Sequence, residues 1–182
     1  MHRKDILRKL EDYLDVYRNE SQMIERFIAF VSSNEDCFER ALKEGHVTGS
    51  AWVVNRDGTR VLLTHHKKLN KWLQLGGHAD GDSDVLWVAM REVAEESGIE
   101  AVELVGDGIF DVDIHLIPAR RDEPEHYHYD VRYALRVVDD EDYVVSDESH
   151  DLGWIEIRKL HELTDEWSMV RMAEKWIALE NV

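Results

Sequence analysis

Apolar side chains recur at three- and four-residue spacing through the first 45 residues, which is the spacing of amphipathic helices. Two stripes are evident, one formed by Ile6, Leu7, Leu10 and Leu14, the other by Met23, Ile24, Phe27, Ile28 and Val31. Ser33 or Asn34 is placed to cap a third short helix running through Phe38 and Leu42. The pattern predicts an N-terminal helical extension over residues 1–45, with a role in packing or dimerisation.

From Val47 the pattern changes to that of strands. The segments 50–55 and 59–64 flank Asp57-Gly58, which predicts a β-hairpin. A short strand or extended piece follows at 71–75, and then a loop rich in glycine and aspartate. A helix is predicted over 84–97, where Gly98 provides a typical C-terminal stop.

The second half predicts strands near 101–105, 108–117, 127–138 and 154–157, and a closing helix over 165–180. Strand-rich segments with a helix embedded between them indicate a mixed α/β layer fold. We therefore expect one domain over residues 46–182, preceded by the helical extension. Most of the six tryptophans are expected in its core.

Composition narrows the function classes. The formal net charge of -17 argues against a general nucleic-acid binder, which would present a basic surface. No apolar run approaches the length of a membrane span, and the N-terminus lacks the apolar block of a signal peptide. Cys37 is the single cysteine, so an intrachain disulfide is impossible. We expect a cytoplasmic protein without nucleic-acid or membrane partners, and a homodimer is left open.

The predicted helix 84–97 carries an unusual concentration of like charge. Glu92, Glu95 and Glu96 stand at positions i, i+3 and i+4, so their carboxylates share one face, and Arg91 reaches Glu95 one turn on. An apolar face of Leu86, Ala89, Met90 and Val93 is suited to packing on a sheet. Crowded carboxylates suit Mg²⁺ or Mn²⁺, which in turn suit phosphate oxygens. A merely solvated acidic face is the alternative.

The wider spacing resembles the signature of the Nudix (MutT-like) family, G-x5-E-x7-R-E-U-x-E-E-x-G-U, where U is aliphatic. Gly77 matches its first glycine, and seven further positions match in register: Arg91, Glu92, Val93, Glu95, Glu96, Gly98 and Ile99. The resemblance implies a Nudix-type α/β/α sandwich with a mixed sheet. The first glutamate of the motif is replaced by Ser83, which could cap the helix. Asp80, Asp82 or Asp84 could then supply the missing carboxylate.

The same resemblance implies hydrolysis of a pyrophosphate bond in a nucleoside diphosphate linked to another moiety, such as an NDP-sugar, ADP-ribose, a dinucleotide or an NTP. Metal ligands would be Glu92, Glu95 and Glu96 with the backbone of Gly77, and the cofactor Mg²⁺ or Mn²⁺. Arg91 would orient the glutamates, and Gly76-Gly77 would allow close approach to the substrate. Glu148 is our first candidate for the general base and His150 the second.

Other candidate substrate contacts are His78, Lys68, His128 and Arg132. His126, His128 and Asp130 alternate on one face of a predicted strand, which makes them a plausible ligand set. Two further functions remain open. One is a non-catalytic Nudix module that binds a nucleotide, and the weaker one resembles the isopentenyl-diphosphate isomerases, which use histidine and glutamate ligands and need a catalytic cysteine.

Overall fold

The computed structural model describes residues 2–67, 70–119, 124–146 and 149–180. The helices are α1 (Lys4–Val16), α2 (Ser21–Ser33), α3 (Val85–Ser97), α4 (Leu160–Leu163) and α5 (Trp167–Glu180). The strands are β1 (Gly45–Val54), β2 (Arg60–His66), β3 (Lys71–Leu73), β4 (Leu75–His78), β5 (Val102–Leu104), β6 (Asp111–Ile117), β7 (His126–Val137) and β8 (Ser149–Glu156).

The strands pair in the order β3-β2-β1-β7-β5, while β4 pairs with β1, β6 with β7 and β8 with β2. The predicted α/β class is therefore confirmed: a mixed sheet with helices, preceded in the chain by an N-terminal pair of helices. Two compact units are distinguished, residues 1–50, 77–88 and 107–133 in the first, and 51–76, 89–106 and 134–182 in the second. In the described part of the chain, no helix is long and apolar enough to cross a membrane.

In the first unit, α1 packs against α2, and α2 packs against β6. The apolar stripes expected from the sequence supply the contact, since Ile6, Leu10, Ile24 and Phe27 are almost completely buried. The Phe30 ring stacks on Tyr129 of β7 with a centroid separation of 3.7 Å. Burying these side chains is the main stabilising effect available to two short helices.

The second unit contains the predicted hairpin. Val53 of β1 lies opposite Leu62 of β2, and the turn between them is held by Asp57, whose carboxylate accepts from the backbone N–H of Thr59 at 2.9 Å. Gly58 adopts a φ of 72°, a conformation that favours glycine. Its carbonyl accepts a hydrogen bond of 2.8 Å from the indole of buried Trp176 in α5.

The predicted third helix through Phe38 and Leu42 is wrong. Residues 34–44 form turns instead, because their backbone groups bond to distant segments. The carbonyl of Cys37 accepts from Val47 N–H at 2.7 Å, and that of Phe38 accepts from Gly81 N–H at 3.0 Å. These tertiary hydrogen bonds replace the helical ones.

Three further expectations need correction. Strand β1 begins at Gly45 rather than at residue 50, and β8 begins at Ser149 rather than at 154. The predicted buried face of α3 is right for Ala89 and Val93 but wrong for Leu86 and Met90, which are half-exposed, while Val85 and Val88 are buried in addition. Among the tryptophans, Trp52 and Trp176 lie in the core, but Trp87 and Trp167 are 57% and 68% exposed.

Candidate functional site

The glutamate box consists of Glu92, Glu95 and Glu96 on helix α3, together with the neighbouring Arg91. The Arg91 guanidinium lies 3.0 Å from Oε1 of Glu92 and 3.8 Å from Oε1 of Glu95. The Glu92 side chain is only 16% exposed, whereas that of Glu95 is 62% exposed. Arg91 therefore fixes two carboxylates of different exposure relative to each other.

Glu96 has a different anchor. Its Oε1 accepts a hydrogen bond of 2.8 Å from the backbone N–H of Gly76 in β4. A backbone N–H donor to a carboxylate fixes the orientation of the group. The half-buried Glu96 thus ties the helix to the glycine pair whose backbone is expected to approach the substrate.

The N-terminus of α3 is capped by Asp84 and not by Ser83. The Asp84 carboxylate accepts from the backbone N–H of Trp87 at 3.1 Å, which is the usual bond of an N-cap side chain. The two other nearby aspartates also have local partners. Asp82 accepts from the backbone N–H of Asp84, and Asp80 forms a two-point ion pair with Arg40 at 2.7 and 2.9 Å.

A second group of side chains, the histidine cluster, lies in the other unit and consists of His46, His78 and His128. Their ring centroids are 4.9 Å apart for His46–His78, 4.9 Å for His46–His128 and 5.1 Å for His78–His128. His46 is the second residue of β1, His78 ends β4 and His128 belongs to β7. The cluster is therefore assembled by strands from three distant parts of the sequence.

Burial determines the charge state of this cluster. Only 2% of His46 is exposed. Its burial, reinforced by the neighbouring His78 and His126, lowers the pKa of His46 to about 4. Burial and the adjacent histidines, His115 first among them, lower the pKa of His128 to about 2. Both imidazoles are neutral at physiological pH, so each keeps a nitrogen lone pair.

Arg132, predicted as a substrate contact, lies instead in a buried cluster of aspartates. Arg132 is 2% exposed and pairs with Asp130 at 2.7 Å, Asp111 at 3.1 Å and Asp113 at 3.4 Å. Burial opposes the charge of Arg132, but the three aspartates outweigh it and raise its pKa. Asp130 also accepts from the hydroxyls of Thr48 and Ser50, at 2.8 and 2.7 Å. Lys68 and Glu148 lie outside the described residues.

In β3, Lys71 forms an ion pair with Glu166. His65 stacks on Trp72 at 5.2 Å and lies 5.4 Å from His150, which was the second candidate base. The sequence had suggested His78 and His128 but not His46, because β1 was expected to begin after it. The period-two alternation of His46, Thr48 and Ser50 is the signal that an earlier strand start would have revealed.

A family model described as NUDIX domain matches residues 45–176. A comparison with curated proteins gives no significant match.

Similar solved structures include a C. elegans Ap4A hydrolase binary complex. It is 18% identical, covers 74% of this chain and 97% of that chain, and has a TM-score of 0.60. The E. coli dihydroneopterin triphosphate pyrophosphohydrolase is 18% identical, covering 71% and 92%, with a TM-score of 0.57. A MutT NUDIX hydrolase from Burkholderia pseudomallei is 25% identical, covering 72% and 97%, with a TM-score of 0.54.

Proposed function

Because this chain belongs to the Nudix (MutT-like) hydrolase family, we propose that it hydrolyses a pyrophosphate bond in a nucleoside diphosphate derivative, using Mg²⁺ or Mn²⁺ held by the glutamate box. One observation carries the proposal. Glu92, Glu95 and Glu96 project from successive positions of one helical face, and two of them are fixed by Arg91 while the third is fixed by Gly76.

The donor set fits a hard divalent cation. Three carboxylates on one face supply oxygen ligands and negative charge, which Mg²⁺ and Mn²⁺ prefer to nitrogen or sulfur. The bound ion would contribute Lewis acidity at the pyrophosphate oxygens. Glu92, Glu95 and Glu96 would hold it, together with the backbone of Gly77.

The role of Arg91 follows from its contacts. Since its guanidinium already pairs with Glu92 and Glu95, it acts as a positioning residue that keeps these carboxylates oriented. The Gly76 N–H does the same for Glu96. Preorganised ligands need little reorganisation when the cation and substrate arrive, which is the main advantage of a rigid site.

The substrate class is proposed from the family and from its relatives. The printed names of two similar structures refer to Ap4A and to dihydroneopterin triphosphate. Both molecules contain phosphoanhydride bonds flanked by an organic group. We propose the same type of bond here, in an NDP-sugar, ADP-ribose, a dinucleotide or an NTP. Arg132 is not included among the substrate contacts, because three aspartates already surround it.

A substrate panel tests the proposal. The four substrate classes are incubated with the purified protein and Mg²⁺ or Mn²⁺, and the products are separated by chromatography. Hydrolysis in ¹⁸O-water then identifies which phosphorus atom is attacked. We expect turnover of at least one class, with complete loss in EDTA. Binding without turnover would overturn the hydrolase proposal and favour a non-catalytic nucleotide-binding module.

Glu95→Gln and Glu96→Gln are the informative variants. The amide oxygen that Glu96→Gln introduces can still accept from Gly76 N–H, so the substitution removes charge while keeping the 2.8 Å anchor. We expect kcat/KM to fall about 100-fold or more for each variant. Glu174→Gln, which changes an exposed glutamate of α5, is the matched control and should retain full activity. Equal activity in all three variants would contradict the assignment.

A further inference from the structure

The histidine cluster has a geometry that packing alone does not require. One ligand-capable nitrogen from each of His46, His78 and His128 lies within 4.8 Å of the other two. The three rings meet at interplanar angles of 46°, 53° and 87°, so they do not form a parallel stack. Their nitrogens converge on one region of the first unit.

The hydrogen bonds of the cluster are incomplete. Neither ring nitrogen of His46 has a hydrogen-bond partner among the described residues, and Nε2 of His128 also lacks one there. A neutral imidazole carries one donor and one acceptor, and a buried polar atom left unsatisfied costs about 1–3 kcal/mol. Buried imidazole nitrogens without hydrogen-bond partners that converge in this way are the arrangement that a metal ion satisfies.

Two more histidines stand beside the cluster with their rings already oriented. The His115 ring centroid is 5.3 Å from that of His128, and its Nδ1 lies 3.0 Å from a carboxylate oxygen of Asp113. The His126 centroid is 5.0 Å from that of His46, and its Nδ1 lies 2.9 Å from the carbonyl of Pro124. These partners orient two rings that border the cluster without belonging to it.

We propose that His46, His78 and His128 bind one transition-metal ion of the Zn²⁺ type and leave at least one coordination position open. Imidazole nitrogen selects zinc, copper, iron or nickel over magnesium and calcium. Zinc binds imidazole at about 2.0–2.1 Å, so tetrahedral ligand nitrogens stand about 3.4 Å apart. The ligand nitrogens of the cluster lie within 4.8 Å of one another, so they would have to approach by small side-chain rotations when the ion binds. Three protein ligands with an open position are typical of catalytic rather than structural zinc.

This site is separate in chemistry from the glutamate box. The box offers carboxylate oxygens, whereas the cluster offers imidazole nitrogens, so the two sets prefer different cations. The proposal therefore stands whether or not the chain hydrolyses a pyrophosphate bond. None of its three ligands occupies a fixed position of the family signature.

Metal binding to the full chain provides the test. Protein stripped with a chelator is titrated with Zn²⁺ in the presence of excess Mg²⁺ and a chromophoric competitor. We expect one equivalent to bind tightly. At a free Zn²⁺ concentration 100 times the Kd, linkage predicts that the melting temperature rises by roughly 5–10 °C. Absence of tight binding under these conditions overturns the proposal.

Substituted Co²⁺ then counts the ligands in the wild-type protein. Three bound imidazoles should give three solvent-exchangeable N–H proton resonances that are shifted outside the diamagnetic range, with the intense visible absorption of a four- or five-coordinate ion. This measurement needs no variant, so it decides the question even where a substitution prevents folding. Weak octahedral absorption, or shifted resonances from fewer than three imidazoles, contradicts the assignment.

Variants locate the ion. His46→Asn, His78→Asn and His128→Asn should each weaken Zn²⁺ binding about 100-fold or more. His78 is half-exposed, which makes it the substitution that perturbs the core least. His161→Asn, at an exposed position of α4, and a triple Glu92→Gln, Glu95→Gln, Glu96→Gln variant should retain wild-type affinity. Loss of Zn²⁺ binding in the triple variant, with normal binding in the three histidine variants, would overturn the proposal.

Discussion

Arg132→Met tests the most densely charged part of the interior. Arg132, Asp130 and Asp111 are each at most 2% exposed, and Asp113 completes the cluster at 3.4 Å. Methionine has similar length and fills the space, but it removes the positive charge and the donors to the aspartates. The variant therefore isolates the electrostatic contribution from that of packing.

The magnitude follows from the partners that remain. Asp130 loses the guanidinium of Arg132 but keeps the hydroxyl donors of Thr48 and Ser50, which partly replace the lost hydrogen bond. Asp111 is completely buried and loses the guanidinium at 3.1 Å. Removing one member of a buried ion pair typically costs about 3–5 kcal/mol, because the remaining charge is left uncompensated. For a protein of this size, the melting temperature should fall by roughly 6–20 °C.

Urea denaturation at neutral pH, followed by far-UV circular dichroism, measures this loss. Arg8→Met is the matched control, because Arg8 is 61% exposed and also contacts two aspartates, Asp5 and Asp12. Exposed pairs contribute about 0–1 kcal/mol. Equal midpoints for the two variants would refute the argument that burial makes the Arg132 cluster costly to break.

Three other outcomes are expected. Arg91→Ala should raise the Mg²⁺ concentration for half-maximal activity about 10-fold, because Glu92 and Glu95 lose their positioning partner, while a change in KM alone would contradict this role. Burial raises the pKa of Cys37 to about 11, so the native thiol should resist a disulfide reagent at pH 8 and react only after denaturation. Gly45→Ala should destabilise the fold by about 1–3 kcal/mol in urea melts, since its Cβ would collide with the Tyr127 carbonyl, whereas Gly108→Ala has open space and should be nearly neutral.

Helix α3 could be predicted because its information is local. The spacing of Glu92, Glu95 and Glu96 determines which side chains share a face, whatever the helix packs against. The sequence predicted the burial of Ala89 and Val93 correctly, but it did not reveal that Val85 rather than Leu86 would be buried, since both are apolar and only tertiary contacts distinguish them. The cap was decided similarly, because Ser83 and Asp84 are both good N-cap residues and differ by one position.

The role of Arg132 could not be predicted from its sequence neighbours. A lone arginine on a strand can bind a phosphate or neutralise buried acids, and its sequence neighbours fit both uses. The deciding fact is the register of β6 and β7, in which Asp111 lies opposite Arg132. Twenty-one residues separate these partners, so no pattern within one strand indicates that they meet.

The histidine cluster is also determined by strand pairing and not by the pattern within one strand. The predicted face of His126, His128 and Asp130 does occur on β7, but its members divide between two environments, because Asp130 is taken by Thr48, Ser50 and Arg132. The histidines are left to meet His46, which shares its strand face with the same two hydroxyl residues. The hydroxyls of Thr48 and Ser50 and the guanidinium of Arg132 supply hydrogen bonds to Asp130. The imidazole nitrogens of His46 have no hydrogen-bond partner within the described structure. The pairing of the strands therefore separates a network of oxygen acceptors from a group of imidazole nitrogens. Of these two networks, the nitrogen-based one is where a soft or borderline cation gains most from binding.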